Sequence, residues 1–457
     1  MSDNKKFFLD QHGCAKNQVD GELIMNRLVN LGFTQTFDAS EADVIFINSC
    51  GFIESAKTES IESLMDARNL YPDAKIILGG CLAERYAEYF KDELTEADAI
   101  FGNGDLSKID GLVKSLFDGE RPVVKPAQEG VCCGERKKLL SYPGSAFVKI
   151  TEGCDNCCSF CAIPIIRGHL RSRKIEEIVE EIKQLVDHGI FEINLIGQDL
   201  AAFGSDFVNH KNSQSELANL LEEISKLKGD FWIRLLYIHP DHFNSDILEI
   251  MKKDERFLPY FDIPFQSGSD RIISLMNRKG NFKKYVELIK TIRSAFSESC
   301  IRTTFLNGFP SETDDDAAKT QKFMKEIKPD WSGCFAYSQE EDTVAAKMEN
   351  QVEKKVAEKR SSALKKIQDK ITAESLEKKC GKNYRVLIEE IVENLEGTDE
   401  GLAIGRTWFE APDVDGNVVV RYDLDDKNAV EKIIPGKVVT VKAVAASGVD
   451  IDSVFVE

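Results

Sequence analysis

Short apolar runs alternate with amphipathic stretches of helical spacing from residue 7 to residue 335, and this alternation constrains the fold more than any other feature. A strand that returns parallel to its neighbour needs a crossover long enough to hold a helix, so strand–helix alternation implies parallel sheets. In the first hundred residues the strand-like runs lie at 7–10, 44–47 and 75–78, with helical patterns at 19–31, 53–67 and 82–90. Residues 119–143 carry Pro122, Pro126, Gly130, Gly134 and Pro143 and read as a linker. A second alternation has strands at 146–150, 192–196, 232–238, 260–264, 301–306 and 330–335, with helices at 175–186 and 213–227 among the crossovers. Six such units predict an open or partial (β/α)6 barrel of the TIM type, whose sites lie at the C-terminal strand ends. The charge-laced segment 345–379 reads as a solvated connector helix. After Gly381, short runs at 384–388, 401–405, 418–422 and 438–445 predict a small β-barrel of the OB-like class. The class is α/β overall: an N-terminal open parallel domain (1–120), a linker (121–145), the partial barrel (146–344), a connecting helix (345–380) and the β-barrel (381–457).

Three bulk properties narrow the function. A chain of 457 residues exceeds what one core supports. No apolar stretch approaches the ~18 residues of a membrane helix, and Met1-Ser2-Asp3-Asn4-Lys5-Lys6 runs straight into a strand without a signal-peptide core. A cytoplasmic protein with no membrane partner is expected. Net charge is −19, whereas nucleic-acid binding draws most of its affinity from basic residues on phosphate. A basic protein partner fits better than a nucleic acid.

The chain has 12 cysteines, and a reducing compartment argues for metal rather than disulfides. Cys154, Cys158 and Cys161, at x3 and x2 spacing just after the strand at 146–150, can hold three irons of a cubane cluster and leave the fourth open to a small molecule. Structural zinc is the rival, because Cys154-x2-Cys157 and Cys158-x2-Cys161 are both CxxC pairs. Two zinc knuckles need about a dozen intervening residues to close a tetrahedron, and here they abut, which makes Cys157 a bystander. Cys14, Cys50 and Cys81 each end a predicted strand of the N-terminal sheet. In an open parallel sheet those ends share one edge, so the three thiols can converge on a second three-cysteine cluster. The competing reading is three buried small hydrophobes. Cys132, Cys133, Cys300, Cys334 and Cys380 show no comparable arrangement and read as packing or incidental thiols. At the barrel rim, Gln198 and Asp199 follow the second strand, Gln266 follows the fourth, and Gly308 and Glu312 follow the fifth; all are candidate ligand contacts. Arg167, Arg171 and Arg173 lie just beyond the cluster loop, and Arg171 is the candidate for a ligand carboxylate.

The spacing Cys154-x3-Cys158-x2-Cys161 resembles the signature of the radical S-adenosylmethionine superfamily, and with both trios the whole chain resembles the methylthiotransferase family. That family joins a three-cysteine domain, a radical barrel and a C-terminal TRAM domain. Gly13-Cys14-Ala15-Lys16-Asn17-Gln18-Val19-Asp20, with Glu22, resembles the RimO-type branch and lacks the Gln-Met-Asn run of the transfer-RNA branch. Asn48-Ser49-Cys50-Gly51-Phe52-Ile53-Glu54-Ser55-Ala56-Lys57, Gly80-Cys81-Leu82-Ala83-Glu84-Arg85-Tyr86 and Ala411-Pro412-Asp413-Val414-Asp415-Gly416 resemble that branch too. Cys157 and Gly21 depart from its usual pattern at positions that are not expected ligands. The resemblance implies two 4Fe-4S clusters, S-adenosyl-L-methionine as co-substrate, and a flavodoxin- or ferredoxin-type electron donor. It further implies methylthio insertion at the β-carbon of an aspartate of small-subunit ribosomal protein twelve. Residues 381–457 hold 16 acidic and 8 basic residues, net −8, which suits a cationic protein surface better than RNA. The alternatives are a transfer-RNA adenosine methylthiotransferase, a non-catalytic metal-binding module docking on ribosomes, and a zinc enzyme.

Overall fold

The computed structural model describes residues 5–207, 214–392 and 399–457; Met1–Asn4 and Ser213, the expected start of one helix, lie outside them. In the N-terminal domain six parallel strands stand in the order Thr34–Gln35, Lys6–Gln11, Val44–Ser49, Lys75–Gly79, Ala99–Phe101, Val123–Val124. Val44–Ser49 is buried along its whole length because helices cover both faces of the sheet. The last strand falls within the expected linker; its two residues complete the sheet edge, too short a run to register as apolar periodicity. In register, Gln11 lies beside Asn48 and Asn48 beside Gly79. The chain therefore leaves three adjacent strands at one level, on either side of the point where strand order reverses.

The central sheet takes Ser145–Lys149, Glu192–Ile196, Trp232–Leu235, Phe257–Asp262, Cys300–Asn307 and Trp331–Ala336 in sequence order, all parallel, its first and last strands unpaired with each other. This is the open six-stranded barrel expected. Two strands differ from the reading by more than one residue at an end. The third stops at Leu235 rather than 238, because Tyr237 takes a left-handed turn (φ 67°) and its N–H is captured by Asp262. The fourth starts at Phe257, three residues early; a register shift opposite Pro259 accommodates a residue with no N–H.

The segment 345–379 is not a solvated connector. Its helix spans Lys354–Glu377 and buries Ala357, Leu364, Gln368, Thr372 and Leu376. Gln368 donates to the carbonyls of Pro329 and Asp330, and Ser361 donates to that of Cys334. The many Lys and Glu residues mark its outer face only, which hid the buried stripe. The C-terminal domain is a closed barrel in the order Asn383–Val392, Glu400–Arg406, Val418–Asp423, Asp450–Phe455, Val438–Ser447. The Asp450–Phe455 strand, too acidic to stand out in the sequence, closes it.

Candidate functional site

Each N-terminal cysteine sits where a strand hands over to a helix. Cys14 caps the helix Ala15–Asn30, Cys50 lies between Val44–Ser49 and Glu54–Leu70, and Cys81 is the second residue of Gly80–Glu93. Three helix N-termini thus face one edge, a setting that favours anionic sulfur. Asn17 ties the hand-over points together. Its Nδ2 donates to the carbonyls of His12, Asn48 and Ser49 at 2.8, 3.1 and 3.2 Å, and the Cys81 Sγ reaches its Oδ1 at 3.8 Å.

Beyond Ser145–Lys149, the loop carrying Cys154, Cys158 and Cys161 is pinned at several points. The Cys154 N–H donates to the Gly168 carbonyl at 3.1 Å, Asn156 donates to Asp199 at 2.9 Å, and Ser159 donates to the carbonyls of Met276 and Leu275. Gly153 (φ 74°) packs so closely that a Cβ there would stand 2.0 Å from the His169 carbonyl oxygen.

The six cysteines of the two trios, joined by Cys157, line one cavity of about 420 Å³ between the two domains. Neither trio is compact enough for zinc. Sulfurs around a tetrahedral zinc at ≈ 2.3 Å lie roughly 3.8 Å apart, whereas no three cysteine sulfurs among the described residues come within 4.8 Å of one another. The donor set of three thiols instead suits an iron–sulfur cubane, which cysteine thiolates hold. The charges agree. Burial pushes the Cys50 thiol up to about 12, Cys161 up to about 12 and Cys154 up to about 11, neighbouring thiols adding to each. Burial also raises Cys81 against the pull of Arg167, whereas Lys16 and Arg167 overcome burial and hold Cys14 below the ordinary thiol range. At Cys50, Cys154 and Cys161 the protein's own charges do not offset burial, and cationic iron would.

Two expected rim contacts reach this cavity. Gln198 lines it, donating 3.0 Å to Glu152, with its own Oε1 buried and unpartnered. Gln266 lines it from a left-handed turn (φ 69°). Asp199 instead faces an adjoining cavity of about 430 Å³, where it accepts hydrogen bonds from Asn156, His242 and the backbone of Ala201 and His239.

Three expected contacts are not there. Gly308 packs on Ala357 and gives its N–H to Glu312, and Glu312 is held by Arg360 at 3.0 Å; both brace the outer helix. Arg171 spends its guanidinium on the carbonyls of Gly130, Arg167 and His169. Position in sequence does not reveal which way a backbone N–H or a side chain is directed, and these three are directed away from the cavity.

Arg167 is buried at the centre, 3.1 Å from Cys81 Sγ and paired with Asp20 at 2.7 Å and Glu152 at 3.0 Å. Lys16, Asn17, Tyr237, His239 and Arg278 also line the cavity; Lys16 and Asn17 lie in the run around Cys14 that carries the family resemblance, whereas the other three carried no signal of a role in the site. His239, its Nε2 3.9 Å from Cys158 Sγ, is held neutral by burial and by Arg278, which bring its pKa down to about 3. Cys300 packs against the C-terminal domain, its thiol facing the Phe409 carbonyl.

Residues 6–102 match the Uncharacterized protein family UPF0004, residues 148–324 the Radical SAM superfamily and residues 380–456 the TRAM domain. The ribosomal protein uS12 methylthiotransferase RimO of Treponema denticola is 51% identical over 98% of this chain and 100% of its own length. The proteins of the same name from Clostridioides difficile and Thermotoga maritima are 40% and 37% identical, over 91% and 90% of this chain and 92% of each relative. Among solved structures, the radical S-adenosylmethionine methyltransferase TsrM of Kitasatospora setae shares the fold at TM-score 0.54 and 14% identity, over 73% of this chain and 72% of that one.

Proposed function

The chain belongs to the RimO family of ribosomal protein uS12 methylthiotransferases, and from that premise we propose a division of labour between its two cysteine trios. The enzyme transfers a sulfur-containing group to ribosomal protein uS12 and works with S-adenosyl-L-methionine and 4Fe-4S clusters. In our reading Cys154, Cys158 and Cys161 hold one cluster, Cys14, Cys50 and Cys81 hold the other, and the acceptor is the β-carbon of an aspartate. When bound, the clusters and S-adenosyl-L-methionine supply the radical chemistry and the sulfur. The protein's own part is to hold distance and exclude water. Asn17 locks the N-terminal trio, the Gly153 turn and the Asn156–Asp199 contact fix the barrel trio, and Gln198 and Gln266 offer amide groups at the rim.

The observation that carries this reading is the single cavity shared by thiols from two domains. A metal-docking module has no need of two open sites facing each other. Relatives named for uS12, together with the acidic C-terminal barrel, favour a protein substrate over transfer RNA. A flavodoxin- or ferredoxin-type protein is the proposed electron donor. No helix among the described residues is long and apolar enough to cross a membrane, and a cytoplasmic setting is proposed.

The test is anaerobic reconstitution with iron and sulfide analysis, followed by mass spectrometry of uS12. About eight irons are expected from two cubanes. Cys158→Ala should abolish release of 5′-deoxyadenosine, and Cys50→Ala should retain that release while ending methylthiolation. Methylthiolation by Cys50→Ala would refute the division.

A further inference from the structure

Lys16 occupies the first turn of the Ala15–Asn30 helix, directly after Cys14, and only 9% of it is exposed. Its side chain crosses from the N-terminal domain to the barrel. There the ammonium lies 3.4 Å from the Gly197 carbonyl oxygen, just past the strand Glu192–Ile196, and 3.4 Å from the centre of the Tyr237 ring. Among the described residues no carboxylate pairs with it. Other buried cations are matched by carboxylates: Lys149 by Asp20 and Glu152, Arg167 by the same two acids, Arg136 by Glu22 and Glu181, and Arg85 by Glu340. Arg278 also lines the cavity without a carboxylate, but it sits on the barrel side, over Phe160, with its guanidinium given to the Pro264 carbonyl.

Its anionic neighbour is the Cys14 sulfur, which it draws below the ordinary thiol range; with that sulfur committed to iron, the buried ammonium keeps one long carbonyl contact and an aromatic face and is prepared for a further anion, because leaving it underpaired away from water is costly. We infer that Lys16 reads the side-chain carboxylate of the substrate aspartate. The inference rests on the proposed reaction at an aspartate. The β-carbon is bonded directly to that carboxyl carbon, so a carboxylate held by Lys16 puts the reacting carbon at the seam between the trios. It must be there to meet both. Lys16 thereby becomes a substrate-binding and specificity residue, distinguishing Asp from Asn at the acceptor position.

The experiment measures binding of two labelled uS12 peptides, one with the target Asp and one with Asn in its place, to reconstituted enzyme with S-adenosyl-L-methionine and no reductant. Wild type should prefer the Asp peptide at least about tenfold, the scale of a charge-assisted hydrogen bond. Lys16→Met should reduce the preference to within about twofold by weakening the Asp peptide alone. The preference is a ratio within one preparation, so incomplete cluster loading does not alter it. If Lys16→Met fails to hold its clusters, Lys16→Gln, which can still donate to the Gly197 carbonyl, carries the same expectation. A preference that survives the loss of the charge, equal weakening of both peptides, or no preference in wild type overturns the inference. Failure of wild type plus reductant to methylthiolate the Asp peptide would instead defeat the underlying reaction.

Discussion

Arg167 follows the barrel's cluster loop in sequence, yet its guanidinium touches Cys81 of the other trio. It neutralises Asp20 and Glu152 on the way. Removing one member of such a buried network leaves uncompensated charge, at a cost of about 3–5 kcal/mol. Arg167→Met should therefore melt several degrees lower and lose iron from the N-terminal site first, as read by calorimetry and by iron content. Glu410 gives a pH-dependent counterpart. Burial pushes its carboxyl up to about 7, against the Thr407 hydroxyl and N–H that favour its charge. A carboxyl raised above its ordinary 4.5 contributes fully below about pH 4.5, and the contribution is lost as pH rises through about 7. Glu410→Gln should raise the melting temperature relative to wild type at pH 8 and give no gain near pH 4.5. The gain has an upper bound of about 3 kcal/mol.

At the scale of elements, the strand–helix hand-overs place the chemistry. Their locations were legible because parallel strands buried on both faces are continuous apolar runs, as at Val44–Ser49. Their ends were less so. Tyr237 and Gln266 enter the cavity through left-handed turns that no glycine announces. Gly153 does announce one, and its substitution is a test of the loop. Gly153→Ala would drive a Cβ into the His169 carbonyl and displace the Cys154–Cys161 loop. We expect the barrel site to lose its iron while the N-terminal site keeps its own, which spectroscopy of the two clusters distinguishes.

At the scale of the molecule, the C-terminal barrel docks on the N-terminal ends of the central strands, away from the cavity. Arg234 and Arg406 enclose Glu192, with Glu389 joining from the small barrel. Tyr260 donates 2.6 Å to Asp415, and Trp331 donates 2.7 Å to the Phe409 carbonyl. Asp415 of the Ala411–Gly416 run is thus a docking residue. Arg406→Met should leave Glu192 with one cation and Glu389 with none, costing about 3–5 kcal/mol and exposing the small barrel to limited proteolysis ahead of the central domain.

The sequence by itself determined the α/β class, the open six-stranded barrel, the small β-barrel and both cysteine trios, because periodicity and short spacings are local and survive in one dimension. Tertiary structure alone decided that the trios face each other across one cavity. It also decided that Arg167 and Lys16 span the seam, and that Gly308, Glu312 and Arg171 turn away from it. Those facts depend on how far and in which direction side chains reach between segments more than a hundred residues apart, and periodicity within one segment carries no information about its distance to another.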